Sequence, residues 1–242
     1  MEVSTLELNA HDINLELQWF QQVLDTRIKL YFNNESQYNS IFDITPPDLS
    51  NSESNYARLV KHYPLSFSER VILIMSLIPH VRPNVFDILY TKNENFNRGF
   101  TEFGGINGKY HGGMLPTGET VNFILSGENL ISRFQLRQLF EDDHFFHAHN
   151  ILRLEPLEKG QGEPKLSNVL NISDEYLSLL TSGKPYKPDY SANFPAKLIT
   201  TKLEWKDLIL NDGVREEIDD ILTWIEHGDT LMQDWGLHTK VK

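Results

Sequence analysis

The stretch FSERVILIMSLIPHVRPNVFDILY, residues 67–90, constrains the fold more than any other part of the chain. Ser66 and Glu69 have the spacing of a capping box, so a helix is predicted to start at Phe67. From Val71 to Ile78 the run is apolar nearly all round, not along one stripe. A helix of that kind has no face to give to water, so it must lie at the centre of a core with other elements on every side. Pro79 is predicted to end it, because proline lacks the amide hydrogen and crowds the preceding turn. Pro83 suits the first turn of a second helix reaching about Tyr90. A chain of 242 residues is long enough to supply the surrounding layer.

The remaining elements can be read around that centre. In HDINLELQWFQQVLDTRIKLYF, the residues Ile13, Leu17, Phe20, Leu24, Ile28 and Tyr31 recur at steps of three and four, with Asp12 placed to cap the start. Such a stripe packs on its own domain or on a neighbouring subunit. The Asn-, Ser- and Pro-rich NNESQYNSIFDITPPDLSNSESNY follows as a linker or surface loop, giving a first region over residues 1–63. RGFTEFGGINGKYHGGMLP is too dense in glycine for a long regular element. Thr117 is predicted to cap the helix GETVNFILS, and ENLISRFQLRQLF forms another, with Leu130, Phe134, Leu136 or Arg137, and Phe140 along it. NILRLEPL and LSNVLNI then alternate with period two around the turn-rich EKGQGEPK, which predicts a β-hairpin. Ser173 caps a short helix that Gly183 stops. The expected fold is α+β, mostly helical, with a winged-helix-like core over residues 64–183 and the hairpin as its wing. Residues 184–242 are an extended connector and a closing helix from about Val214 to His227, started by Asn211 or Asp212 and stopped by Gly228.

Composition narrows the function. With no cysteine, disulfides and thiolate metal sites are excluded, and a cytoplasmic setting is expected. The acidic start MEVSTLELNAHD lacks the basic end and apolar run of a signal peptide, and no apolar run approaches the roughly 20 residues that cross a bilayer. No membrane partner is expected. The formal net charge of −12 opposes binding to a nucleic-acid backbone, which needs a basic face. A winged-helix nucleic-acid binder is the alternative reading; Arg133 and Arg137 on the helix before the wing would meet phosphates, with Glu141, Asp142 and Asp143 opposing them.

Three patterns invite a chemical reading, and each fits a plain structural one better. The glycine-rich loop Gly99–Gly113 contains GGINGKY, which faintly echoes a phosphate loop. Only three residues separate Gly104 from Gly108, however, and Tyr110 stands where a Mg²⁺-binding hydroxyl belongs. A loop whose backbone needs positive φ or a close approach fits those glycines. His144, His147 and His149 lie within six positions, but no single regular conformation presents all three, and no metal is expected there. VREEIDDILTWIEH sets its acids against Val214, Ile218, Ile221, Leu222 and Ile225, which predicts a solvated face and a core face. No catalytic residue emerges from these patterns.

Several segments taken together, FSERVILIMSLIPHVRPNVFDILYTKN, RGFTEFGG, HGGMLPTGETVNFILSG, FPAKLITTKLEWKDLIL and ILTWIEHGDTLMQDWGL, resemble the region upstream of the ATPase module in a group of bacterial, Bacteroidetes-type AAA+ ATPases. That group includes the ATPase encoded with phage-tail-like contractile injection systems. The likeness runs in order over about residues 64–238, and RGFTEFGG with LPTGET is its most specific part. In those proteins the segment like WGLHTKVK precedes a Walker A loop by a few residues. The resemblance implies a non-catalytic part that docks a protein partner or substrate of unknown identity, beside its own ring-forming ATPase module. It also implies a role in assembly or cargo handling of a contractile particle. No cofactor is expected in this chain, whereas ATP and Mg²⁺ would belong to the parent enzyme, with Asp207, Leu208, Ile209 and Leu210 as its adenine neighbours.

Overall fold

The computed structural model of the chain describes residues 4–155, 162–184, 186, 207 and 209–230. It is mostly helical with small antiparallel sheets, an α+β arrangement. The chain divides into two compact units, Met1–Lys187 and Pro188–Lys242.

The first unit opens with α1, Thr5–Tyr31, which starts two turns earlier than the sequence suggests. Ser4 is its cap, in a reciprocal capping box with Glu7. Asp12, expected to be the cap, sits inside the helix and is buried, because its carboxylate accepts hydrogen bonds from the Ser52 and Ser54 hydroxyls. The Asn- and Ser-rich stretch that follows buries Ile41, Ile44 and Leu49, and the Ile44 carbonyl accepts from the Trp19 indole at 3.1 Å. α2, Asn55–His62, and α3, Phe67–Val81, come next. The capping box of Ser66 and Glu69 is present, and α3 runs two residues past Pro79. Val71 to Met75 are completely buried, as are Leu77 and Ile78, so this helix is the core's axis. Residues 83–90 form a 3₁₀ helix begun by Pro83.

Two minimal hairpins then fill the glycine-rich region. β1, Lys92–Asn93, pairs with β2, Arg98–Gly99, and β3, Ile106–Asn107, pairs with β4, Met114–Leu115, both antiparallel. α4 covers Gly118–Ser126, α5 Leu130–Leu136 with a 3₁₀ extension to Phe140, and α6 Phe145–Ala148. The predicted hairpin is β5, Leu152–Glu155, against β6, Val169–Ile172, with Leu152 opposite Ile172 and Glu155 opposite Val169. Its tip, residues 156–161, lies outside the described residues. α7, Asp174–Leu180, is capped by Ser173 and followed by Gly183 at φ 71°.

α1 packs against α2, α3 and α4, and β6 packs against α3, so helix α3 is enclosed as its composition demands. Two polar grips hold the layers in register. Arg27 of α1 donates to the Ile124 and Leu125 carbonyls at the end of α4, where helix carbonyls lack intrahelical partners. Asn9 of α1 and Asn55 of α2 both donate to the Leu179 carbonyl at the end of α7.

The second unit contains α8, Asp212–Asp229, capped by the Asn211 side chain, which accepts from the Val214 amide at 2.9 Å. Of Val214, Ile218, Ile221, Leu222 and Ile225, predicted to be a core face, Ile218 is half-buried and the other four are exposed. Among the described residues no single helix is long and apolar enough to cross a membrane.

Candidate functional site

RGFTEFGG and LPTGET, which carry the sharpest resemblance, meet in one junction. Gly104 and Gly105 both have positive φ, 58° and 74°. A Cβ on Gly104 would lie 2.7 Å from Thr117 Oγ1 and 2.7 Å from the Thr120 amide nitrogen. The Gly105 amide donates to Thr117 Oγ1 at 3.1 Å, and that oxygen also caps α4 by accepting from the Thr120 amide. The Gly118 amide donates to the Asn168 carbonyl and the Leu170 amide to the Pro116 carbonyl, which ties the start of α4 to the hairpin. The twin glycines therefore let one loop close over a helix cap. They pack against the cap of α4.

The three histidines go to three different partners. His144 Nε2 lies 3.1 Å from Glu69, whose backbone amide belongs to the α3 cap. His149 Nδ1 is 2.6 Å from the Tyr63 hydroxyl, and Tyr63 stacks on Phe145. His147 lies at 3.7 Å from Asp142. Burial, followed by its hydrogen bond with Tyr63, pushes the Tyr176 phenol up to about 12. Among the described residues no group of three metal-ligating side chains is brought together.

Of the proposed adenine neighbours, Asp207 is exposed, Ile209 is fully open to solvent and Leu210 is half-buried. Leu208 lies outside the described residues.

The most reactive-looking group of charges is buried and structural. Glu16 of α1 is completely buried and ion-paired with Arg70 of α3, which also donates to the Pro47 carbonyl at 2.9 Å. Arg70 lies 5.6 Å from the centre of the Trp19 ring, a cation–π contact. Burial raises the Glu16 carboxyl above its ordinary 4.5, and the Arg70 guanidinium pulls it partly back. Burial and the Glu16 charge together hold the Tyr56 phenol far above the tyrosine range. The group ties three segments together.

A different kind of site forms on α5. Leu130, Ile131 and Phe134 are 63, 70 and 66% exposed, whereas Leu136 and Phe140 on the other side are buried. At about 100° per residue, the three exposed side chains fall within one arc of roughly 100°. The helix thus has two apolar faces, one for the core and one for solvent. Arg133 points away from phosphate-binding use, because it is ion-paired with Glu119 and donates to the Gly127 carbonyl at 2.9 Å. Beside the helix, Phe42, Leu125, Leu136 and Leu139 line an open groove of about 270 Å³, softened by Ser66, Ser126 and Ser132. Phe42 is itself 56% exposed. Scattered single apolar residues on a surface need no explanation, but three adjoining ones beside a groove form a patch larger than that. Sequence periodicity placed Leu130 and Phe134 with the core; the adjacent Ile131, which does not fit that stripe, was the one signal of a second face.

Comparison with protein-family models, curated proteins and solved structures gave no match to this chain.

Proposed function

We propose that this chain is a non-catalytic, protein-docking region of an AAA+ ATPase, and that α5 presents its docking face. The single observation that carries the docking reading is the triplet Leu130, Ile131 and Phe134, open to solvent on a helix otherwise anchored through Leu136 and Phe140. An aromatic and two branched aliphatic side chains next to a groove of mixed polar and apolar lining suit the buried centre of a protein interface. The AAA+ parentage rests on the segments between residues 64 and 238 quoted above, and on that reading ATP and Mg²⁺ belong to the ATPase module, not to this chain. The same resemblance supports a role in assembly or cargo handling of a contractile particle. A winged-helix-like core is the finer fold reading: α3, α4 and α5 precede the β5–β6 hairpin in the chain, and β6 packs on α3.

A photo-crosslinking amino acid at position 134, introduced in the native cell, tests the docking face. Protein adducts that appear from position 134, and vanish when Leu130 and Ile131 become serine, are the expected result. Adducts to nucleic acid would instead favour the winged-helix nucleic-acid reading. A yield no greater than from the exposed Gln138 would remove the case for α5.

A further inference from the structure

We propose that copies of this chain associate head to tail, with α8 of one copy seated in a groove that α1 forms with its neighbours on the next. The groove lies within the first unit. Ala10, Ile13 and Leu17 make its floor, Leu6 and Val81 stand at its rim, and Arg82 sits at one side, around an open volume of about 390 Å³. Ile13 and Leu17 are 5 and 3% exposed, so the floor is fixed, while Leu6 at 54% shows apolar surface to solvent. Ala10 is exposed and small, which lets a second helix approach closely, as the usual 8–10 Å between packed helix axes requires. The far wall, at Thr181, is locked by Asn9, whose amide donates to the Leu179 and Thr181 carbonyls.

α8 carries the matching half. Val214, Ile218, Ile221 and Ile225 are spaced four, three and four apart, the seam spacing of a helix that packs along another helix. Ile221 is 58% and Ile225 74% exposed. From the first to the last seam residue is eleven positions, about 16 Å of helix, and from Leu6 at the groove's rim to Leu17 on its floor is the same eleven. Charge sets the direction of fit. Arg82 donates to Asn14 at 3.1 Å and has no carboxylate partner among the described residues. Glu217 lies about 70° from the centre of the α8 seam, at its edge, where it would meet a flanking cation. A groove on one copy and a seam on the other is a heterologous contact, the kind that builds rings or filaments.

Sedimentation velocity on the full chain over a wide concentration range tests this. The expected result is a mass that rises with concentration. Ala10→Glu in the groove and Ile221→Asp on the seam should each raise the dissociation constant at least about tenfold. Both sites face solvent, so folding should survive, as an unchanged melting temperature would confirm; Arg82→Glu is a second groove variant if Ala10→Glu melts early. Mixing the two variants should restore a 1:1 heterodimer that grows no further, since one intact groove and one intact seam remain. A chain that stays monomeric throughout overturns the proposal. So does association that survives either substitution, or a mixture of variants that fails to pair.

Discussion

Replacing Arg70 with methionine isolates the buried ion pair between α1 and α3. Methionine keeps much of the volume and the stacking on Trp19, so the change removes charge and hydrogen bonds more than packing. Glu16 is then left completely buried with no guanidinium, and the Tyr56 phenol is the hydrogen-bonding neighbour that remains. Breaking one side of a buried pair costs about 3–5 kcal/mol, because the remaining charge is stranded away from water. The cost should depend on pH, with a definite sign. Glu16 binds its proton more tightly folded than unfolded, since burial raises its carboxyl above 4.5. Stability from such a group is greatest below the unfolded value and falls as pH rises through the folded one. Removing Arg70 takes away the largest influence holding the carboxyl down, so the window of falling stability extends upward in the variant. In urea unfolding, Arg70→Met should cost about 3–5 kcal/mol near pH 8 and less near pH 5, because protonation of the raised Glu16 carboxyl relieves the stranded charge. Adding Glu16→Met should recover most of the loss, as apolar replacement of whole buried pairs often does. A cost below about 1 kcal/mol near pH 8, or an equal cost at both pH values, would refute the account of Glu16 as a stranded charge.

Gly104→Ala should destabilise by roughly 2–3 kcal/mol, from the left-handed backbone and the contact with Thr117 and Thr120, whereas Gly99→Ala, with open space around it, should stay within about 0.5 kcal/mol; thermal melts compare the two. Phe134→Ser should leave the melting temperature unchanged, because the ring is two-thirds exposed in the free chain, and a clear drop would mean that α5 needs its outer face for folding. Mg-ATP should produce neither turnover nor a melting shift; ligand at a hundredfold excess over its dissociation constant would add about 2.7 kcal/mol, so a clear shift would contradict the non-catalytic assignment. A chain ending at Lys187 should melt where the full chain does, since residues 1–187 form a compact unit with its own core.

What could be read from the sequence was local, and what could not was the meeting of distant residues. Capping boxes such as Ser66 with Glu69 lie within one turn, and the alternation of residues 150–157 and 166–172 is visible without knowing their neighbours. The central placement of α3 followed from composition alone, because a helix with no polar face has one environment open to it. Asp12 misled for an informative reason. An aspartate ahead of an apolar stripe has the chemistry of a cap, but Ser52 and Ser54, about forty residues on, offer its carboxylate two hydroxyl donors and free the helix to start earlier. Glu16 could have been noticed. It lies between Ile13, Leu17 and Phe20 on the buried stripe of α1, where an unpaired carboxylate would be costly, so a cation had to be supplied from elsewhere. Which cation was beyond local pattern, since Arg70 is fifty-four residues away and sits inside another helix. The α5 face was missed by the reverse error. Periodicity assigns an apolar residue to a core whenever the spacing allows, and Leu130 and Phe134 are four apart just like a core pair. Only the third residue, Ile131, breaks the stripe. An apolar residue off the stripe and a charged residue on it are both departures from helical pattern, and here each points outside the helix: to solvent in one case, to Arg70 in the other.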